Sequence, residues 1–341
     1  MTHSFTVLAQ QARAAGLQAR APWFYGLLFA GLLVALGGAV SGFILLGDSW
    51  LQLLIAGALG VILTQFAFLG HEASHRQILA SGPANDKIGR VLATLFVGIS
   101  YQWWMDKHNR HHANPNKVGK DPDVARDTIS FLEEDAAVQR GFSGWLTRRQ
   151  GYLFFPLLLL EGVNLHLNSI RSLVVRRKAG RGFELTMIGI RFGVYLALLF
   201  WLMPIGLGFA FLGVQLAVFG LYMGASFAPN HKGMPIVPRE AKLDFFSKQV
   251  RTSRNISGGW GISLLMGGLN YQIEHHLFPS MARPNLRKAR LLVRQHCQTN
   301  DVPYTETTLV RSYGIVVNYL NRVGLAARDP FDCPLAGQLG R

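Results

Sequence analysis

The chain has 341 residues, half of them hydrophobic, only 16% charged, with a formal net charge of +15 and two cysteines. So small a charged fraction, against roughly 25% in soluble domains, excludes an ordinary water-soluble globule, and two cysteines, Cys297 and Cys333, support neither a disulfide framework nor a thiolate metal site. The surplus Lys and Arg are spread through the segments between apolar runs, which favours anionic headgroups or a phosphate-bearing acyl donor over nucleic acid as partner.

In chain order, residues 1–23 carry Arg13 and Arg20, and no small-residue cleavage site follows a short apolar region. The first apolar run therefore reads as an anchor rather than a removed signal. That run, Phe24–Leu46, has no charge in 23 residues, and Leu51–Gly70 has none in 20. Each predicts a helix long enough to cross a hydrocarbon core. Ile88–Trp104 and Tyr152–Leu167 are shorter, flanked by charge and interrupted by Gly, Trp, Pro156 and Glu161, and read as interfacial or re-entrant pieces. Leu185–Met203, with Arg191 inside it, and the uncharged Leu207–Pro229 form a second pair of spans. The linkers within each pair, 47–50 and 204–206, have no Lys or Arg, whereas the other connections are rich in them. The positive-inside rule then sends both hairpins outward and leaves both termini in the cytoplasm. The expected fold is an all-α integral membrane protein with four transmembrane helices in two hairpins, interfacial helices and a cytoplasmic helical cap. Residues 24–290 form its membrane domain, and 1–23 and 291–341 its cytoplasmic ends.

Eight of the eleven histidines fall in four short places: His71 and His75 in HEASH, His108, His111 and His112 in HNRHH, His231 in APNHKG, and His275 and His276 in NYQIEHHLFP. Every group stands at or beyond the cytoplasmic end of an expected hairpin, so a topology drawn without the histidines gathers them on one side. Positions i and i+4 of a helix share a face, which lets His71 and His75 point at one metal. The spacing of His108, His111 and His112 does the same with three imidazoles, and Gln272, His275 and His276 repeat it. Eight imidazoles exceed what one ion holds; two metals with about four or five protein nitrogens each, and an open position, fit better. Ligand type leaves zinc, copper, iron and nickel open. His166, alone in an apolar stretch, reads as a satisfied core histidine.

HEASH, HNRHH and QIEHH, in that order, resemble the three histidine boxes of the integral-membrane fatty acid desaturases and related hydroxylases. The glutamine opening the third box, and TSRNISGG at 252–259 before it, resemble the front-end branch. The resemblance implies a non-haem di-iron centre that uses O2 and two electrons to insert a double bond into a long acyl chain carried as acyl-CoA, acyl-ACP or phospholipid. A hydroxylase on the same scaffold is the rival, since the same boxes serve both. It implies that His231 completes the ligand set, and that the membrane is a bacterial plasma membrane or the ER. Many front-end members carry a fused cytochrome b5 domain with an HPGG motif, and the motif does not occur here. Electrons are then expected from a separate ferredoxin or cytochrome b5 with its reductase.

Several other residues gain candidate roles. Gln272 is either a weak amide ligand or the holder of a water beside the metal. Glu72, Asp106, Asp121, Asp123 and Glu274 are candidates to accept the second N–H of a ligating imidazole. Glu161, Asn164 and Asn168 make a polar stripe on an apolar segment, expected to face the metal site or the substrate channel. Tyr101, Trp103, Trp104 and Trp260 are placed to line that channel or to sit at headgroup level.

Overall fold

The computed structural model describes residues 3–176 and 178–327; Cys333 and its neighbours after Ala327 lie outside the described residues. Helix α1 (His3–Ala14) precedes α2 (Pro22–Leu46), which opens on a proline whose missing N–H costs nothing in a first turn. Gly47, at φ 51°, ends it in the left-handed region that glycine tolerates. Helix α3 (Gln52–Ser74) returns. Gln52 closes the hairpin by donating to the carbonyls of Phe43 at 2.7 Å and Gly47 at 3.0 Å. The second hairpin is α10 (Arg181–Leu202) and α11 (Ile205–His231), joined at Met203–Pro204.

These four helices have the length and hydropathy of membrane spans, and they are unequal partners. Only 11% of α2 and of α10 is buried within the protein, against 44% of α3 and 33% of α11. The second and fourth spans are therefore the inner pair. They touch where Gly60 lets the backbone of α11 approach; a Cβ there would stand 2.9 Å from the Gln215 carbonyl.

Between the hairpins, α4 (Gly82–Val91) is capped by Ser81 and runs into a π-helical turn over Leu92–Val97, which Gly98 stops at φ 91°. The charge inside the third span has its explanation here, because Arg191 Nε donates to the Phe96 carbonyl at 3.1 Å. Helix α5 (Tyr101–Ala113) follows, then the short α6 (Glu133–Ala137) and α7 (Gly141–Thr147). Helices α8 (Gln150–Leu158) and α9 (Glu161–Val175) meet at a 72° bend, a broken or re-entrant span. His166 is buried where expected, its ring between the carbonyls of Gly162 and Val97 at 2.6 and 3.1 Å.

The C-terminal third builds the cap from α12 (Phe245–Arg251), α13 (Trp260–Leu265), α14 (Gln272–Leu277), α15 (Arg283–Thr299) and α16 (Leu309–Leu325). Strands β1 (Asn255–Ile256) and β2 (Glu306–Thr307) add a two-residue parallel pairing. The cap has its own core, in which Leu8 of α1 packs with Phe246, Val250, Ile273, Leu286, Val293 and Cys297. Burial pushes the Cys297 thiol up to about 12.

Candidate metal centre

The two inner spans deliver the first and last of the site's transmembrane contributions. His71 sits in the last turn of α3 with His75 just past its end, and His231 is the final residue of α11. Helix α5 brings His108, His111 and His112, and α14 brings Gln272, His275 and His276. All eight imidazoles converge, and they sort into two groups. His71, His75, His108, His112 and His275 can each offer a ring nitrogen within 4.8 Å of the others, and His111, His231 and His276 form a second such set.

This division departs from the sequence expectation that each box points at one metal. His71/His75 and His108/His112 are i, i+4 pairs and do share a face. His111 turns away from His108 and His112 to meet His231, with the two Nε2 atoms 3.3 Å apart. Neighbours in a helix are rotated by about 100°, so adjacent histidines serve different groups: His111 and His112 split, and so do His275 and His276. The groups stay in contact through His112 and His276, whose rings stack at 4.2 Å.

Each ring of the three-histidine group is held by its outer nitrogen. His111 Nδ1 donates to Asp121, at 3.1 and 3.0 Å from its two oxygens, with Asp123 at 3.4 Å. His231 Nδ1 donates to the Thr252 carbonyl at 2.9 Å, and His276 Nδ1 to Gln249 Oε1 at 2.8 Å. Such bonds set the tautomer and leave Nε2 facing the centre. Gln249 also donates to the His112 carbonyl at 2.9 Å, so one side chain touches both groups. Burial opposes protonation of His111, but Asp121 and Asp123 outweigh it and raise its pKa. Burial, reinforced by crowding among the imidazoles, holds His108, His112, His275 and His276 well below the ordinary value, and burial brings His75 down to about 3. Neutral imidazole is the form that binds metal.

The donor set fits a pair of ions. Nε2 of His71, His112, His275 and His276 is buried with no hydrogen-bond partner. Leaving such a group unsatisfied costs about 1–3 kcal/mol, and four of them aimed inward repeat that cost. His75 and His108 bring Nε2 atoms to 2.7 Å of each other. Gln272 stands at the edge of the three-histidine group, its Nε2 donating to His231 Nε2 at 2.9 Å. Its oxygen is engaged elsewhere, accepting from Asn230 Nδ2 at 3.0 Å.

Of the five carboxylates expected to support histidines, Asp121 and Asp123 do so. Glu72 instead forms a buried bidentate pair with Arg283, at 2.5 and 2.6 Å. Glu274 accepts from Asn255 and Tyr304, and Asp106 pairs with Arg176 and Lys178. Among the described residues neither Glu161 nor Asn164 hydrogen-bonds a histidine; the stripe bonds to itself, Asn164 to Glu161 at 3.0 Å and Asn168 to Asn164 at 2.7 Å. Trp104 stacks on His108 at 4.2 Å, while the Tyr101 hydroxyl binds Asp86, Trp103 packs against the first two spans and Trp260 is exposed.

The fatty acid desaturase family model matches residues 48–308, most of the chain. The chain belongs to the fatty acid desaturase family. It is 30% identical over 322 residues to a Delta(8)-fatty-acid desaturase of Helianthus annuus, covering 89% of this chain and 69% of that protein. Against an acyl-lipid (9-3)-desaturase of Borago officinalis the identity is 28%, over 89% of this chain and 67% of the relative. A Delta(6)-fatty-acid desaturase of Caenorhabditis elegans is 30% identical over 76% of this chain and 62% of its own length. The chain thus spans about two thirds of the relatives it matches.

Within this membrane desaturase, three supporting residues were not singled out in the sequence. Gln249 lies in FFSKQVR, which matches no ligand pattern. Glu184, fully buried at the start of α10, accepts from the Ser100 hydroxyl at 2.6 Å and the Gln102 N–H at 3.4 Å, anchoring the N-terminus of the box-two helix. A carboxylate suits that end of a helix dipole. Arg254, buried and without an acidic partner among the described residues, donates to the Pro229 and Lys232 carbonyls and caps the end of α11 beside His231. It lies inside TSRNISGG, the one stretch that hinted at it.

Proposed function

We propose that this protein is an O2-dependent di-iron desaturase of long acyl chains. His71, His75, His108, His112 and His275 hold one ion; His111, His231 and His276 hold the other. When bound, the iron pair supplies O2 activation and the two-electron oxidation of the chain. Two adjacent methylenes lose two hydrogens, and O2, those hydrogens, two electrons and two protons become two waters. The observation that carries this reading is the convergence of eight imidazoles from four segments at the ends of the inner spans.

The protein's own residues bind, orient and exclude water. Asp121, the Thr252 carbonyl and Gln249 keep three rings in the metal-binding tautomer, and the buried cap keeps bulk water from a reaction that offers no acid or base to work with. Gln272, with its oxygen held by Asn230, stands beside His231 and shapes the open side of the three-histidine group; on metal binding the ion would take the place of the Gln272 N–H at His231 Nε2. Glu161 and Asn164 form one wall of the channel mouth beside Lys107. The site faces the cytoplasm, with both termini on that side, in a bacterial plasma membrane or the ER. The substrate chain arrives from the bilayer; the borage relative is named an acyl-lipid desaturase. Two electrons come from a donor of the ferredoxin or cytochrome b5 type.

The test is expression in a host of known fatty acid composition, with lipid analysis by mass spectrometry and metal analysis of the purified protein. A new double bond and about two irons per chain are expected. A new hydroxyl in place of the double bond would overturn the assignment.

A further inference from the structure

We propose that the cations Arg110, Lys117, Lys120, Arg239 and Lys248 form the docking surface for an acidic electron-carrier protein. This rests on the desaturase reading and locates where its electrons enter. The five side chains come from α5, the loop after it, the segment after α11, and α12. Arg110 donates to the Lys120 carbonyl at 3.4 Å, Lys117 to the Ala241 carbonyl at 2.8 Å and Lys248 to the Ala113 carbonyl at 2.6 Å. Arg239 lies over Gly119. Among the described residues none of the five forms an ion pair. Lys117 and Lys120 stand near enough to Lys248 to add to the lowering that burial begins in its pKa.

Unpaired like charges repel, and a fold retains such a cluster at some cost in stability. An acidic partner removes that repulsion and is steered to the surface by it. Asn109 and Gly119 stand exposed among the cations, and the exposed Leu243 and Phe245 lie between Arg239 and Lys248; a protein interface combines such apolar surface with a charged rim. The surface also has a direct line to the site. Lys248 precedes Gln249, which bonds to His112 of one histidine group and His276 of the other. Each docked carrier is oxidised by one electron, so two dockings supply one turnover.

The experiment compares the whole protein in neutral-lipid nanodiscs with the double variant Lys120→Glu/Arg239→Glu and its milder form Lys120→Gln/Arg239→Gln. Binding of a reduced [2Fe–2S] ferredoxin and of the soluble haem domain of cytochrome b5 is measured first, without turnover, across a salt series. Turnover driven by each carrier is then divided by turnover driven by dithionite on the same preparation. The expected result is salt-sensitive binding of at least one carrier, lost by at least about tenfold in the Glu variant and partly in the Gln variant, with the turnover ratio falling in parallel. No salt-sensitive binding by the parent, or equal binding by the variants, would overturn the proposal. So would a raised KM for acyl substrate under dithionite, or an effect seen only with anionic lipid added. Absence of any unsaturated product from the parent under dithionite would instead sink the desaturase reading, and the binding arm would still decide this one.

Discussion

Gln249 links the two histidine groups, because one amide accepts from the His276 ring and donates to the His112 carbonyl. Replacing it with Ala removes the acceptor that fixes the His276 tautomer. Metal affinity should fall about 10–100-fold, read as iron lost to a graded chelator series, and Gln249→Glu, which keeps the acceptor, should recover most of it. Equal chelator resistance in Ala and parent would show that the ring needs no such partner. For Gln272 the hydrogen-bonded oxygen decides the expectation. Gln272→His should retain iron but lower turnover, since it places a strong nitrogen donor where the structure offers an amide N–H. Gln272→Ala should cost less than His275→Ala. Full activity in Gln272→Ala would make it a bystander.

Among elements, the decisive contacts tie the end of α3 to the start of α15. Glu72 and Arg283 pair while almost wholly buried, so losing one partner strands the other charge. Arg283→Met should cost about 3–5 kcal/mol, and Glu72→Gln combined with it should recover part of that, measured by unfolding in detergent. Equal stability of the single and double variants would show that the pair does not couple. Helices α9 and α11 cross where Gly162 and Gly220 meet, and a Cβ on either would strike the other's backbone. Gly220→Val should destabilise by about 1–3 kcal/mol; an unchanged melting temperature would show that the crossing relaxes freely.

At the scale of the molecule, the Lys/Arg asymmetry predicts that the histidine side faces inward. A cysteine introduced at 47–50 should react with an impermeant thiol reagent on intact cells, and one at Lys117 should not; the opposite pattern would reverse the orientation. The spans were legible because twenty uncharged residues have few other fates, and the boxes because helical spacing is local. The assignment of histidines to two groups was not legible. It depends on how four segments dock, and the pattern around His111 or Glu72 does not say whether the nearest partner is ten residues away, as Asp121 is, or 211, as Arg283 is. The roles of Gln249 and Arg254 were illegible for a related reason: each donates to backbone carbonyls, which every sequence has, and the His276 ring that Gln249 also serves lies 27 residues away.

The histidines of the five-membered group run from His71 to His275, and those of the other from His111 to His276. The first is whole only once residue 275 has been made, and the second only once residue 276 has. At roughly 5–20 residues per second, the ribosome leaves His71 waiting on the order of ten to forty seconds, with all four spans already synthesised. Synthesis of the spans thus precedes completion of either histidine group, and a nascent chain stalled before the third box would have all four spans but incomplete cages. A metal pair would find its histidines complete only after all four spans exist, because the helix that carries His275 and His276 follows every one of them.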